Sequence, residues 1–161
     1  MELLDEIYQA RERIKDVAIH TSLMLNENLS AEFSAQVYLK REDLQPVRSY
    51  KLRGAYNKIV SLSDEEKAKG VVCASAGNHA QGVAYACDKL NIKGTVFMPV
   101  TTPPQKIEQV KLFGKDKVDI VLKGDTFDEA SDEANQYCKE EKAVFIHPFD
   151  DEKVIAGQGT I

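Results

Sequence analysis

No apolar run in these 161 residues approaches the roughly 20 that a membrane-spanning helix requires. The N-terminal stretch MELLDEIYQARERIKD is charged and helix-patterned, unlike a signal peptide, so a cytoplasmic protein with no membrane partner is expected. Basic charge is in short supply: 21 Lys and Arg stand against 26 Asp and Glu, for a formal net charge of −5. The basic residues are scattered and form no stripe, which removes the electrostatic footprint of a nucleic-acid binder. Cysteine is sparse. Cys73, Cys87 and Cys138 are odd in number and contain no C-x-x-C pair, which argues against a disulfide framework or a structural zinc site. His20, His79 and His147 lie too far apart for an H-E-x-x-H site, and no metal is expected. The nine glycines are spread singly. There is no G-x-G-x-x-G dinucleotide fingerprint and no P-loop G-K-[ST]. A nucleophile elbow centred on Ser75 fails because Cys73 stands where it needs glycine.

What is present is ordinary globular composition, 43% hydrophobic and 29% charged, enough for a packed core in one domain plus pieces of another. Leu3, Ile7, Ala10 and Ile14 recur at helical spacing and predict an amphipathic helix from about residue 2 to 16. Val37 and Leu39 alternate with polar neighbours and predict a strand with one buried face. Residues 51–62 read as helix. From Ser63 the rhythm changes: a Ser63–Glu66 capping box opens a short helix that stops at Gly70. Strands VVCAS, TVFMP, VDIVLK and AVFIH then alternate with helices NHAQGVAYACDKL, PPQKIEQVKLF (Thr102 as cap) and TFDEASDEANQYCKEE (Asp125 as cap). Such alternation builds right-handed βαβ crossovers. The expected fold is α/β: a three-layer parallel sheet with helices on both faces, spanning residues 63–147. The last stretch, DDEKVIAGQGTI, opens as a further helix with no capping signal at its end. Residues 1–62 hold a helix and a strand without a ladder partner. Together with residues 148–161 they read as incomplete parts of a second α/β domain.

In open α/β sheets ligands bind where strand ends meet helix N-termini. The loop SAGNHAQG, residues 75–82, lies at such a point. Gly77 frees the turn, and the helix N-terminus beyond it favours an anion. Ser75 and Asn78 add hydrogen-bonding side chains. The same spacing also fits a plain strand-to-helix turn with a Ser or Asn cap. Lys51, boxed in by Ser49, Tyr50, Leu52 and Arg53 at the start of a part-buried helix, is the second unusual feature, since lysines ordinarily end in water.

KREDLQPVRSYKLRGAY, then SAGNHAQGVA, then HPFDDEKVIAGQGTI, in that order, resemble the threonine dehydratases (threonine ammonia-lyases), pyridoxal-phosphate enzymes of the tryptophan-synthase-β fold type. QPVRSYK resembles the biosynthetic branch, which feeds isoleucine synthesis. The resemblance implies that Lys51 holds pyridoxal phosphate as a Schiff base, Tyr50 packs on the cofactor ring, and Asn78 bonds its 3′ oxygen. It implies that Ser75, Ala76, Gly77, Asn78 and His79 form the loop gripping the substrate carboxylate. It also implies elimination from L-threonine or L-serine to a 2-oxo acid and ammonia, in a homo-oligomer. Related racemases have serine where this chain has Ala76, and a methyl group moves no proton, so elimination is favoured over racemisation. The family's glycine-rich phosphate loop and its pyridine-nitrogen partner have no counterpart in residues 1–161. An N-terminal fragment is therefore expected, with residues 1–62 belonging to the large cofactor-binding domain. Such a piece is expected to hold the cofactor weakly and to be inactive alone. Other reactions of the same scaffold (serine racemisation, threonine synthesis, β-replacement to cysteine) remain open, as does a non-catalytic module that binds an anion or a partner protein.

Overall fold

The computed structural model describes residues 2–161. Helix α1 (Leu3–Ile14) carries Asp5 and Glu6 in its first turn and Arg11 and Arg13 in its last, the arrangement a helix dipole favours. It buries Ala10 and Ile14. Strand β1 (Leu23–Leu25) pairs antiparallel with β2 (Tyr38–Lys40), Leu23 opposite Lys40 and Leu25 opposite Tyr38. This corrects the expectation of a lone strand with Val37 and Leu39 alternately buried. The ladder partner exists, and Leu39 is exposed because the ribbon's side chains lie open along both short strands. Between them runs α2 (Glu27–Phe33), opened by the Asn26 side chain accepting from Leu29 N at 2.9 Å.

Helices α3 (Lys51–Val60) and α4 (Asp64–Lys69) precede the sheet, and the Ser63–Glu66 capping box is formed in both directions. The crossovers then follow as β3 (Val71–Ala74), α5 (Asn78–Leu90), β4 (Gly94–Met98), α6 (Pro104–Gly114), β5 (Val118–Leu122), α7 (Phe127–Glu141) and β6 (Val144–Phe145). The sheet is parallel throughout, in the order β5-β4-β3-β6. Two caps differ from expectation. Thr126, not Asp125, caps α7, because its hydroxyl accepts from Glu129 N while Glu129 reaches back to the Thr126 amide. Pro103, not Thr102, precedes α6, where Pro104 fills the first helical position with no side-chain cap.

Side chains alternate across the sheet as a two-residue period demands. Val71, Cys73, Val96 and Met98 point into a cluster with Val83, Cys87 and Val110 from α5 and α6. Val72, Ala74 and Phe97 face the opposite way, against Ala134 of α7. The larger cluster also takes in Ala55 and Ile59 of α3. Burial pushes the Cys87 thiol up to about 12 and the Cys73 thiol higher still, so both are inert core residues. After β6 the chain enters α8 (Glu152–Gln158), capped by Asp151, whose carboxylate accepts from Lys153 N and Val154 N. Contrary to the uncapped end expected, α8 closes on itself. Gly159 N donates to Ile155 O at 2.9 Å, and Thr160 Oγ1 donates to Gly157 O at 2.7 Å. Helices α3 and α8 cross so closely that a Cβ on Gly157 would stand 2.6 Å from the Arg53 carbonyl oxygen.

Candidate active site

Lys51 sits where three tethered segments converge. A 3-10 turn at Glu42–Leu44 precedes it, and Glu42 is buried there with its carboxylate fully engaged. Arg53 Nε and Nη2 donate to both Glu42 oxygens at 2.8 and 2.9 Å, and Thr21 Oγ1 donates to one of them at 2.6 Å. Gln45 Nε2 reaches the same carboxylate and also the Ile19 carbonyl, at 2.7 Å, while its Oε1 accepts from Ile19 N. Arg53 continues to Ile19 O and Thr160 Oγ1. A bidentate Arg–carboxylate pair with its remaining lone pairs satisfied is the form in which buried charge is tolerated. Burial works to raise the Glu42 pKa, but the bonds from Arg53, Thr21 and Gln45, with the Arg53 charge, hold it below the usual carboxylate value. The pair clamps the loop before Lys51 to the helix that begins with it.

Lys51 is the first residue of α3, its amide donating to Ser49 Oγ at 3.2 Å. The half-buried amine donates to the Pro148 carbonyl at 2.6 Å, a neutral acceptor. Burial lowers the Lys51 pKa from its ordinary value, which favours the free amine. Tyr50, exposed, places its ring centroid 5.6 Å from Lys51 Nζ.

The 75–79 loop leaves the C-terminal end of β3. Ser75 extends the ladder through its N–H to Phe97 O, and its hydroxyl accepts from Gly77 N at 3.2 Å. Gly77 precedes α5 at its N-terminus, and a Cβ built there meets no described atom within 4 Å. Ser75, Ala76 and Gly77 are half-buried and Asn78 is exposed at the first helical position. The opening N–H groups of a helix lack internal acceptors, so this end of α5 offers donors to a ligand. His79 is only 3% exposed, with Nε2 at 2.9 Å from the Ile146 carbonyl, and burial pushes its pKa down to about 4. The ring is therefore neutral and Nε2–H donates. One turn on, Gly82 lets α5 touch α3: a Cβ there would lie 3.1 Å from the Lys51 carbonyl group. Amine and loop thus share one short strand tail, Ile146 to Pro148, as their common support.

Residues 14–161 match the family model described as pyridoxal-phosphate dependent enzyme. The chain belongs to that family. It is 56% identical over 158 residues to the L-threonine dehydratase biosynthetic IlvA of Halalkalibacterium halodurans, covering 98% of this chain and 38% of that protein. To the protein of the same name from Bacillus subtilis it is 58% identical over 155 residues, 96% of this chain and 37% of that one. Among solved structures it superposes on processed threonine deaminase isoform 2 from Solanum lycopersicum with a TM-score of 0.88 at 49% identity, covering 98% of this chain and 44% of that one. Maize serine racemase gives a TM-score of 0.90 at 33% identity, covering 97% and 46%. The chain thus spans less than two-fifths of the length of these curated relatives.

The residues present fit the family's coenzyme. An aldehyde needs a free amine, and Lys51 offers one whose proton affinity burial has lowered. An anionic group needs uncrowded backbone donors, and Gly77 stands at an open helix N-terminus. Sequence reasoning missed Glu42, Gln45, Thr21 and Arg53, which no motif comparison singles out as chemical groups. Their signal was present all the same: acid, amide and guanidinium in a segment whose helix reads as buried. Pro148 was missed because a backbone carbonyl leaves no mark on side-chain patterns.

Proposed function

We propose that this chain carries the lysine-bearing part of a pyridoxal-phosphate-dependent threonine dehydratase of the biosynthetic kind, a cytoplasmic homo-oligomer in its whole form. The observation that carries the reading is the Lys51 amine, held by the Pro148 carbonyl with its proton affinity lowered by burial. The similarity to the biosynthetic L-threonine dehydratases of Halalkalibacterium halodurans and Bacillus subtilis supports it. In this reading Lys51 is the covalent anchor, Tyr50 flanks the coenzyme ring and Asn78 bonds the ring's oxygen. When bound, the coenzyme supplies an electron sink for charge developing at the substrate Cα.

The remaining chemistry falls to the chain's own groups. Backbone N–H groups of the 75–79 loop, with the Ser75 and Asn78 side chains, hold the substrate carboxylate, where the α5 N-terminus favours negative charge. Lys51 Nζ takes the Cα proton, a role suited to an amine whose pKa lies nearer neutrality than that of a solvated lysine. Loss of the β-hydroxyl and hydrolysis give 2-oxobutanoate and ammonia from L-threonine, or pyruvate and ammonia from L-serine. Residues 1–62 and 148–161 belong, in this reading, to the larger domain, and residues 63–147 to the smaller.

The likeness to maize serine racemase favours racemisation as a second reading. Ala76 weighs against it, because racemisation needs an acid–base group on the opposite face and a methyl group supplies none. Product analysis of the whole protein with both amino acids tests the choice. A 2-oxo acid and ammonia, lost in Lys51→Ala, support elimination; D-serine as the main product overturns it.

A further inference from the structure

Two side chains from different elements bond alternate carbonyls of one strand tail. His79 Nε2, from the first turn of α5, lies 2.9 Å from the Ile146 oxygen, and Lys51 Nζ, from the first turn of α3, lies 2.6 Å from the Pro148 oxygen. Between them His147 Nδ1 accepts from Asp150 N at 2.7 Å and from Phe149 N at 3.3 Å. The two carbonyls that flank His147 are thus both engaged by side chains. β6 itself is only Val144–Phe145, although Ile146 N still donates to Val72 O at 2.7 Å. Past that bond the ladder no longer fixes the tail, and Pro148 has no N–H to contribute. Beyond the packing of the Ile146 side chain in the larger cluster, the His79 ring is the contact from α5 that ties the tail's backbone.

We propose that His79 is a positioning residue for Lys51: by donating Nε2–H to the Ile146 carbonyl it fixes the strand tail whose Pro148 carbonyl receives the lysine amine. This rests on the reading of Lys51 as the reactive amine. The His79 imidazole bonds the Ile146 carbonyl and not the amine, and acts through two residues of backbone; to the carboxylate loop His79 contributes its backbone alone. Its Nδ1 is buried and, among the described residues, has no hydrogen-bond partner. An uncharged ring donating from Nε2 leaves Nδ1 as a bare acceptor, and the burial of that atom keeps a second proton away. The charges of Lys51 and His147 both disfavour protonation of His79, and the Tyr50 ring on the preceding turn lies beside the amine.

The test reads the amine without coenzyme. The chain is trace-labelled with acetic anhydride across a pH series, and each lysine is followed by mass spectrometry with exposed Lys106 as internal reference. In wild type the Lys51 labelling midpoint is expected below that of Lys106. In His79→Leu it moves up toward Lys106, because a loosened tail lets the amine hydrate, while His79→Gln, whose amide nitrogen can take the Nε2 position, keeps the wild-type midpoint. An unchanged midpoint in a folded His79→Leu overturns the proposal, as does a Gln variant that shifts equally. If His79→Leu does not fold, nitrogen NMR of the wild-type ring decides: a proton on Nε2 at neutral pH supports the proposal, and a proton on Nδ1 overturns it. Failure of pyridoxal phosphate to label Lys51 in the whole protein, with these shifts intact, would sink the coenzyme reading and leave the positioning role standing.

Discussion

Arg53 closes both oxygens of the Glu42 carboxylate, at 2.8 and 2.9 Å, and each side chain is a tenth or less exposed. Only Leu52 separates Arg53 from Lys51, so the clamp fixes the first turn of α3, from which the lysine side chain extends. Breaking one side of such a pair leaves an unpaired buried charge. Glu42→Gln and Arg53→Met are each expected to cost ~3–5 kcal/mol of folding stability, read by chemical denaturation. Arg53→Lys is expected to recover only part of it, since an ammonium cannot reproduce the two-pronged contact.

The pH dependence of stability follows from His79. Its folded pKa of about 4 lies below the ordinary 6.5, so between those values the unfolded chain binds the extra proton. Stability is full above pH 6.5 and falls as pH drops toward 4, by on the order of 3 kcal/mol at ~1.4 kcal/mol per unit. Below 4.5, Glu42 and Asp151 add to the loss, because both fold with lowered pKa values. Their contribution is present above the unfolded value and disappears as the carboxylates protonate. Melting temperature against pH checks this: His79→Gln is expected to flatten the limb between pH 6.5 and 4 and to leave the lower limb in place.

Two glycines should respond oppositely to alanine. A Cβ on Gly157 meets the Arg53 carbonyl oxygen and the Gly54 Cα, both at 2.6 Å, and backbone cannot step aside. Gly157→Ala is expected to cost ~1–3 kcal/mol or more, by separating α3 from α8. Gly77→Ala meets open space at an ordinary φ of −131°. It should fold within ~0.5 kcal/mol of wild type while weakening substrate binding in the whole protein, seen as a raised KM.

Capping provides a local check. Thr126→Ala is expected to cost ~1 kcal/mol, because the hydroxyl of Thr126 accepts from Glu129 N. Asp125→Ala, one residue earlier, should stay within ~0.5 kcal/mol.

The crossovers were legible in the sequence because their periods are strong. α5 occupies the stretch Asn78–Leu90 that its pattern marks, and Val71 to Ala74 alternate between two apolar clusters. The β1–β2 ribbon was half missed, since three-residue strands with open side chains carry almost no period. The α7 cap slipped by one residue because Asp125 and Thr126 are both good caps, and only the reach of Glu129 decides between them. Lys51 and the 75–79 loop stood out by residue type. The supports that aim them did not, for the Ile146 and Pro148 oxygens are main-chain atoms that any residue would supply.

The most direct measurement is to incubate the whole protein with pyridoxal phosphate, reduce with borohydride and map the modified lysines by mass spectrometry. Lys51 should be labelled ahead of the other lysines, and competition by L-threonine in the whole protein should protect it. Label spread over exposed lysines such as Lys106, with Lys51 untouched, would contradict its assignment as the coenzyme's anchor.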